Sequence, residues 1–167
     1  MIDHSQNSSF REKLIEHIFI GELLKRSWLD GSCSVEISKP EVDRKGYDII
    51  AERGSVIRHI QLKTSRKGGK AYHQKVHTAL AEKVSGCVVW IVFDEETLEL
   101  GPFWFFGGAA GEALPSIEGM KVAKHTKRNS ENERSERPEV REVSRKHFLK
   151  IETMEELHKI LLHQRRN

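Results

Sequence analysis

The stretch GYDIIAERGSVIRHIQLKTS, residues 46–65, constrains the fold more than any other part of the chain. It reads as two short strands around a turn, with the period-two alternation of a half-buried sheet. With a two-residue turn at Arg53-Gly54, Glu52 stands opposite Ser55 and Asp48 opposite His59. Side chains alternate along a strand, so Gln61 and Lys63 join Asp48 and His59 on one face. Tyr47, Ile49, Ile60 and Leu62 then point the other way, into apolar packing. A face that gathers an acid, an amide and an ammonium needs a reason, because isolated buried charge is expensive. A half-exposed salt bridge between neighbouring strands is one reason, and a shared chemical site is the other.

The polar set suits magnesium-assisted cleavage of a phosphodiester. Mg²⁺ takes oxygen ligands, commonly one or two carboxylates with waters and substrate phosphate oxygens. Asp48 supplies a carboxylate, Gln61 an amide oxygen, and the Leu62 carbonyl lies between them. Lys63 would stand beside the attacking water or the phosphate and balance developing negative charge. A helix-borne glutamate would complete the shell, and both Glu16 and Glu22 interrupt the apolar surface of the helix expected over 8–28. His59 on the same face reads first as a sheet-edge histidine, and Asp43 as a turn aspartate.

Around this hairpin the pattern predicts a mixed α/β domain whose central, partly antiparallel sheet is packed by helices. SSFREKLIEHIFIGELLKRSW has helical spacing, with Ser8 or Ser9 as its cap and Glu12 in capping-box position. CSVEISK is a first strand. HTALAEKVSG is a short helix, and CVVWIVFD is an apolar run of the type buried on both faces. ETLELGPFWFFGG is a further strand whose aromatics belong to the core. VREVSRKHFLKI offers a late strand, and TMEELHKILLHQ an amphipathic helix capped by Thr153 with Glu156 three residues on. One domain over 1–167 is the simplest division, with a charged loop over about 121–141 expected to be mobile.

Net charge is +3, and its distribution says more than its sum. Residues 121–150 hold ten Lys/Arg against five Glu, and Arg66, Lys67, Lys70 and Lys75 follow the hairpin with no acid among them. Such local positive surface suits a phosphate chain, to which His125, Lys127 and Arg128 would add a second set of contacts; a solvated, mixed-charge loop accounts for the latter equally. RKGGK lacks the spacing of a P-loop, so no nucleotide is inferred. No apolar run is long enough to span a bilayer and no secretory signal opens the sequence. Cys33 and Cys87 show no metal-binding spacing and read as reduced thiols of a cytoplasmic protein.

GYDII, a turn, and an apolar strand ending in Gln61-Leu62-Lys63-Thr64-Ser65 resemble the core of the PD-(D/E)XK nuclease superfamily, nearest its Mrr and Holliday-junction-resolvase branch. The similarity spans about residues 10–95. It implies a restriction-endonuclease-like fold, a central mixed β-sheet flanked by helices. It also implies hydrolysis of DNA with Mg²⁺, or Mn²⁺ in its place, and pairing as a homodimer to cut two strands. Carried over by position, Asp48 is the metal-binding acid, Gln61 stands at the second acidic position and Lys63 is the catalytic lysine. Glu16 is the first-helix glutamate, with Glu22 in reserve. Two residues depart from the pattern. Tyr47 replaces the proline of the name, and neutral Gln61 removes one formal charge from the metal site. The alternative implied by that lost charge is a weakened nuclease-fold module that binds nucleic acid or a protein partner.

Overall fold

A computed structural model of the chain describes residues 7–42, 46–126, 132 and 134–163. In chain order the first half runs α1 (Ser8–Leu29), β1 (Val35–Ser38), β2 (Ile49–Arg53), β3 (Val56–Arg66), β4 (His73–His77) and β5 (Cys87–Phe93). The second half runs β6 (Leu100–Gly107), β7 (Val122–Lys124), β8 (Glu136–Ser144), β9 (Leu149–Ile151) and α2 (Met154–Leu162). Six strands form a mixed sheet in the order β1-β2-β3-β5-β6-β9, and β4-β8-β7 form a second, three-stranded sheet. Only the β3–β5 pair is parallel among the described ladders. The molecule is therefore α/β, as expected.

The large sheet buries both faces, and β5 shows why its run is uniformly apolar. Cys87, Val89, Ile91 and Phe93 face one way, into a core shared with Ile15, Phe19 and Leu23 of α1 and Leu157 and Leu161 of α2. Val88 and Trp90 face the other way, packing with Val76 of β4, Val143 of β8, Phe106 and Phe148. Two helices, a six-stranded sheet and a small sheet thus stack as three layers. No helix among the described residues is long and apolar enough to cross a membrane.

Several local expectations are corrected. The hairpin turn is Gly54-Ser55, with Arg53 paired to Val56 and Ile50 to His59. Gly54 has φ +59 at the first turn position, where a glycine-first two-residue turn needs a left-handed residue. Asp48 therefore does not face His59. A shift of two positions in the pairing leaves Gln61 and Lys63 on the face first assigned, since parity survives an even shift. Asp48 donates its backbone N–H to the carbonyl of Ile60, the residue already paired with Ile49, at 2.9 Å. This extra residue breaks the alternation, and Tyr47 turns away from Ile49 to join the second core, its ring 4.8 Å from that of His59.

α1 begins with Asn7 as its N-cap residue and no side-chain cap, so neither Ser8 nor Ser9 caps it. α2 starts as expected, with Thr153 Oγ1 accepting the Glu156 N–H at 3.2 Å. The helix expected after His77 is a single 3₁₀ turn, Thr78–Glu82. The charged segment is not loop throughout, because its ends form the β7–β8 hairpin. Its polarity misleads because β8 buries only Val140 and Val143. The late strand read over 140–151 is broken by a 3₁₀ turn at Arg145–His147 into the end of β8 and β9.

Candidate active site

β2 stops pairing with β3 at Ile49–Ile60, but β3 runs on to Arg66. The edge of β3 past Ile60 is thus bare of its antiparallel neighbour, and a cleft of about 500 Å³ opens there under the first half of α1. Asp48, Gln61, Leu62, Lys63 and Glu16 all line it, together with Glu12, Lys13 and Gln74. The side chain of Asp48 takes the place of the missing strand: its Oδ2 accepts the Leu62 N–H at 2.6 Å. A strand residue presents its N–H and C=O on the same edge, so the Leu62 carbonyl shares that edge with the Asp48 carboxylate.

Gln61 and Lys63 register with Val88 and Trp90 of β5, on the sheet face opposite α1. Gln61 is 8% exposed, and its Oε1 is buried without a hydrogen-bond partner among the described residues. A buried amide oxygen left unsatisfied is costly. The Asp48 carboxylate, the Leu62 carbonyl and the Gln61 amide belong to residues that line one cleft, and such oxygen donors fit a hard divalent cation such as Mg²⁺.

Glu16 reaches the cleft from α1 and is 6% exposed. Lys13 lies 3.1 Å from its Oε2, and Lys39 pairs with its Oε1. Burial alone would raise its pKa, but hydrogen bonds and charge from Lys39 and Lys13 outweigh that and hold the carboxyl below its ordinary range. The cleft takes Glu16 and not Glu22, which pairs with Lys25 at 3.2 Å. Lys39 had no sequence signal, since it follows β1 and meets α1 only through the fold. Glu12 and Lys13 did carry one, lying within a turn of Glu16 on the same helix.

Gly46, the glycine of GYD, has φ +75 and lies so close to β4 that an added Cβ would stand 2.6 Å from the Cβ of His77. A larger residue would push the Asp48 approach away from the second sheet. That sheet contributes Lys75, His77 and Arg137 to a neighbouring pocket of about 300 Å³, which shares Gln61 and Lys63 with the cleft.

Other candidate residues are dispersed. His59 is not among the described residues that line the cleft, and its Nδ1 lies 2.8 Å from the Val84 carbonyl oxygen. Arg66 and Lys67 pair with Glu95 and Asp94 at 3.6 and 3.8 Å. Lys70 and His125 are exposed, and Lys75 Nζ donates to the Lys124 carbonyl at 2.7 Å. Asp43, Lys127 and Arg128 lie outside the described residues. Sequence reading passed over Arg58, which is fully buried on the apolar face of β3. Its guanidinium donates to the carbonyls of Leu161, Gly108 and Ile160 at 3.0, 3.0 and 3.1 Å, closing the C-terminal end of α2. The parity that places Ile60 and Leu62 inside also places Arg58 there, so the signal was present. Comparison with protein-family models gives no match, and no curated protein matches the chain.

Proposed function

We propose that this chain is a metal-dependent nuclease with a restriction-endonuclease-like fold, hydrolysing phosphodiester bonds of DNA. The observation that carries this reading is the cleft at the bare edge of β3, which Asp48, Gln61, Lys63 and Glu16 all line and where the Gln61 amide oxygen is buried without a partner among the described residues. Asp48, the Gln61 amide oxygen, the Leu62 carbonyl and Glu16 would hold Mg²⁺ or Mn²⁺. When bound, the ion supplies Lewis-acid polarisation of a phosphate and a lowered pKa for water.

The chain's own groups divide the remaining work. The Leu62 N–H fixes the Asp48 carboxylate against the strand edge, so little reorganisation is needed at the site. Lys63 places an ammonium beside the phosphate, where it offsets charge that grows as the bond breaks. Lys75, His77 and Arg137 line the adjoining pocket and offer contacts to neighbouring backbone phosphates. These contacts carry no base readout, so DNA structure or a partner would direct cutting.

The lysines on Glu16 favour a second reading. Lys13 and Lys39 already neutralise that carboxylate, and Gln61 brings no charge, so the same cleft would suit a module that binds nucleic acid or a protein partner without cutting. Calorimetric titration with Mg²⁺ separates the two. Saturable binding that Asp48→Ala abolishes, with cleavage of supercoiled, linear, branched or single-stranded DNA, supports the nuclease; no binding at millimolar metal supports the module.

A further inference from the structure

Away from the cleft, three metal-ligating side chains converge where the two helices end. Asp30 is the C-cap residue of α1, His158 lies within α2, and His163 is the C-cap residue of α2. One donor atom from each lies within 4.8 Å of the others. Packing of α1 against α2 in the first core brings these distant positions together.

A cation already sits among two of them. Arg53, beside the hairpin turn, places Nη2 2.9 Å from Asp30 Oδ2 and Nη1 2.8 Å from His163 Nε2. The lone pairs of Asp30 and His163 are thus turned toward one positive centre. His158 is not served by it. That ring is 4% exposed, and its Nε2 is buried with no hydrogen-bond partner among the described residues. An imidazole nitrogen buried without a partner is costly, and a metal ion is one group that would satisfy it.

We propose that Asp30, His158 and His163 form a zinc-type divalent metal site, with Arg53 holding two of the ligands when metal is absent. Two imidazole nitrogens and one carboxylate oxygen suit Zn²⁺, which binds such atoms at about 2.0–2.2 Å and leaves a fourth position for water. They do not suit Mg²⁺, which prefers an all-oxygen octahedron. A tetrahedral site would draw the donor atoms to about 3.3 Å from one another. Asp30 and His163 are exposed and able to close that gap, while Arg53 swings out from the turn. The ion would clip the C-terminal ends of both helices. None of its ligands lines the cleft, so the inference stands apart from the nuclease reading.

The test uses the full chain, stripped with a chelator, carrying Cys33→Ser so that no exposed thiol contributes. Zn²⁺ is titrated by calorimetry and thermal unfolding, and Co²⁺ by visible absorption. One equivalent should bind at this site. The melting temperature should rise by about 5–10 °C at a hundred times Kd, and Co²⁺ should show tetrahedral d–d bands. His163→Ala and Asp30→Asn should each abolish these changes, and Asp48→Asn should leave them intact. Arg53→Gln should tighten binding several-fold by removing the competing cation, which a purely structural trio would not do. Absence of saturable Zn²⁺ binding below about 100 μM, or binding unaltered by both His163→Ala and Asp30→Asn, would overturn the proposal.

Discussion

The Asp48 carboxylate and the Leu62 backbone N–H meet at 2.6 Å where β2 has ended and β3 continues. A side chain thus completes the sheet edge, and the backbone of β3 helps to fix the carboxylate that lines the cleft. Asp48→Asn keeps the shape and an acceptor oxygen but removes the charge. Cleavage should fall at least about a hundredfold, while stability changes by about 1 kcal/mol or less. Plasmid nicking and urea unfolding of the same preparation check both parts.

Gln61→Glu should strengthen the metal site. Gln61 already lines the cleft, its Oε1 buried without a partner among the described residues, and a carboxylate there adds the charge that a hard cation seeks. The Mg²⁺ concentration for half-maximal cleavage should drop about tenfold or more. Gln61→Leu should raise it. The readout is the metal dependence of the cleavage rate.

Arg58 should prove a principal stabilising residue although it takes no part in the cleft. Its three hydrogen bonds satisfy carbonyls at the end of α2 and in the turn after β6, and its guanidinium stacks 5.6 Å from the Phe105 ring centre. Arg58→Met retains much of the volume but strands those carbonyls, and should cost about 3 kcal/mol or more. Arg58→Lys, with a point charge in place of a planar fork, should recover only part of the loss. Equilibrium unfolding in urea measures both.

The two thiols should behave differently. Cys87 is fully buried, and burial pushes its thiol up to about 12; Cys33 is exposed. A raised folded pKa means the thiolate of Cys87 is absent through neutral and mildly alkaline pH. A thiol reagent at pH 8 should therefore modify Cys33 quickly and reach Cys87 only after denaturation, giving one reactive thiol folded and two unfolded.

Much of the site was legible because period-two alternation is a strong constraint: it put Gln61 and Lys63 on one face whichever turn closed the hairpin. The partner of Asp48 was not legible. The choice between Arg53-Gly54 and Gly54-Ser55 depends on where a left-handed residue falls in the turn, and the irregular pairing of Asp48 and Ile49 with Ile60 left no mark in composition. The second sheet was hidden for a different reason. β8 gives Val143 to the second core and buries only Val140 besides, its other residues being exposed or half-buried polar groups and a proline, so its sequence looks like the loop that precedes it. Lys39 at Glu16 and Arg53 at Asp30 are meetings across long stretches of chain, for which local pattern holds no information.

The most direct test is the initial rate of nicking of supercoiled DNA in Mg²⁺ by the wild-type chain and by Lys63→Ala, each verified as folded. Nicking by the wild type that falls at least about a hundredfold in the variant is the predicted result. An unchanged rate in Lys63→Ala, or no nicking by the wild type in Mg²⁺ or Mn²⁺, would contradict the assignment of this cleft to phosphodiester hydrolysis.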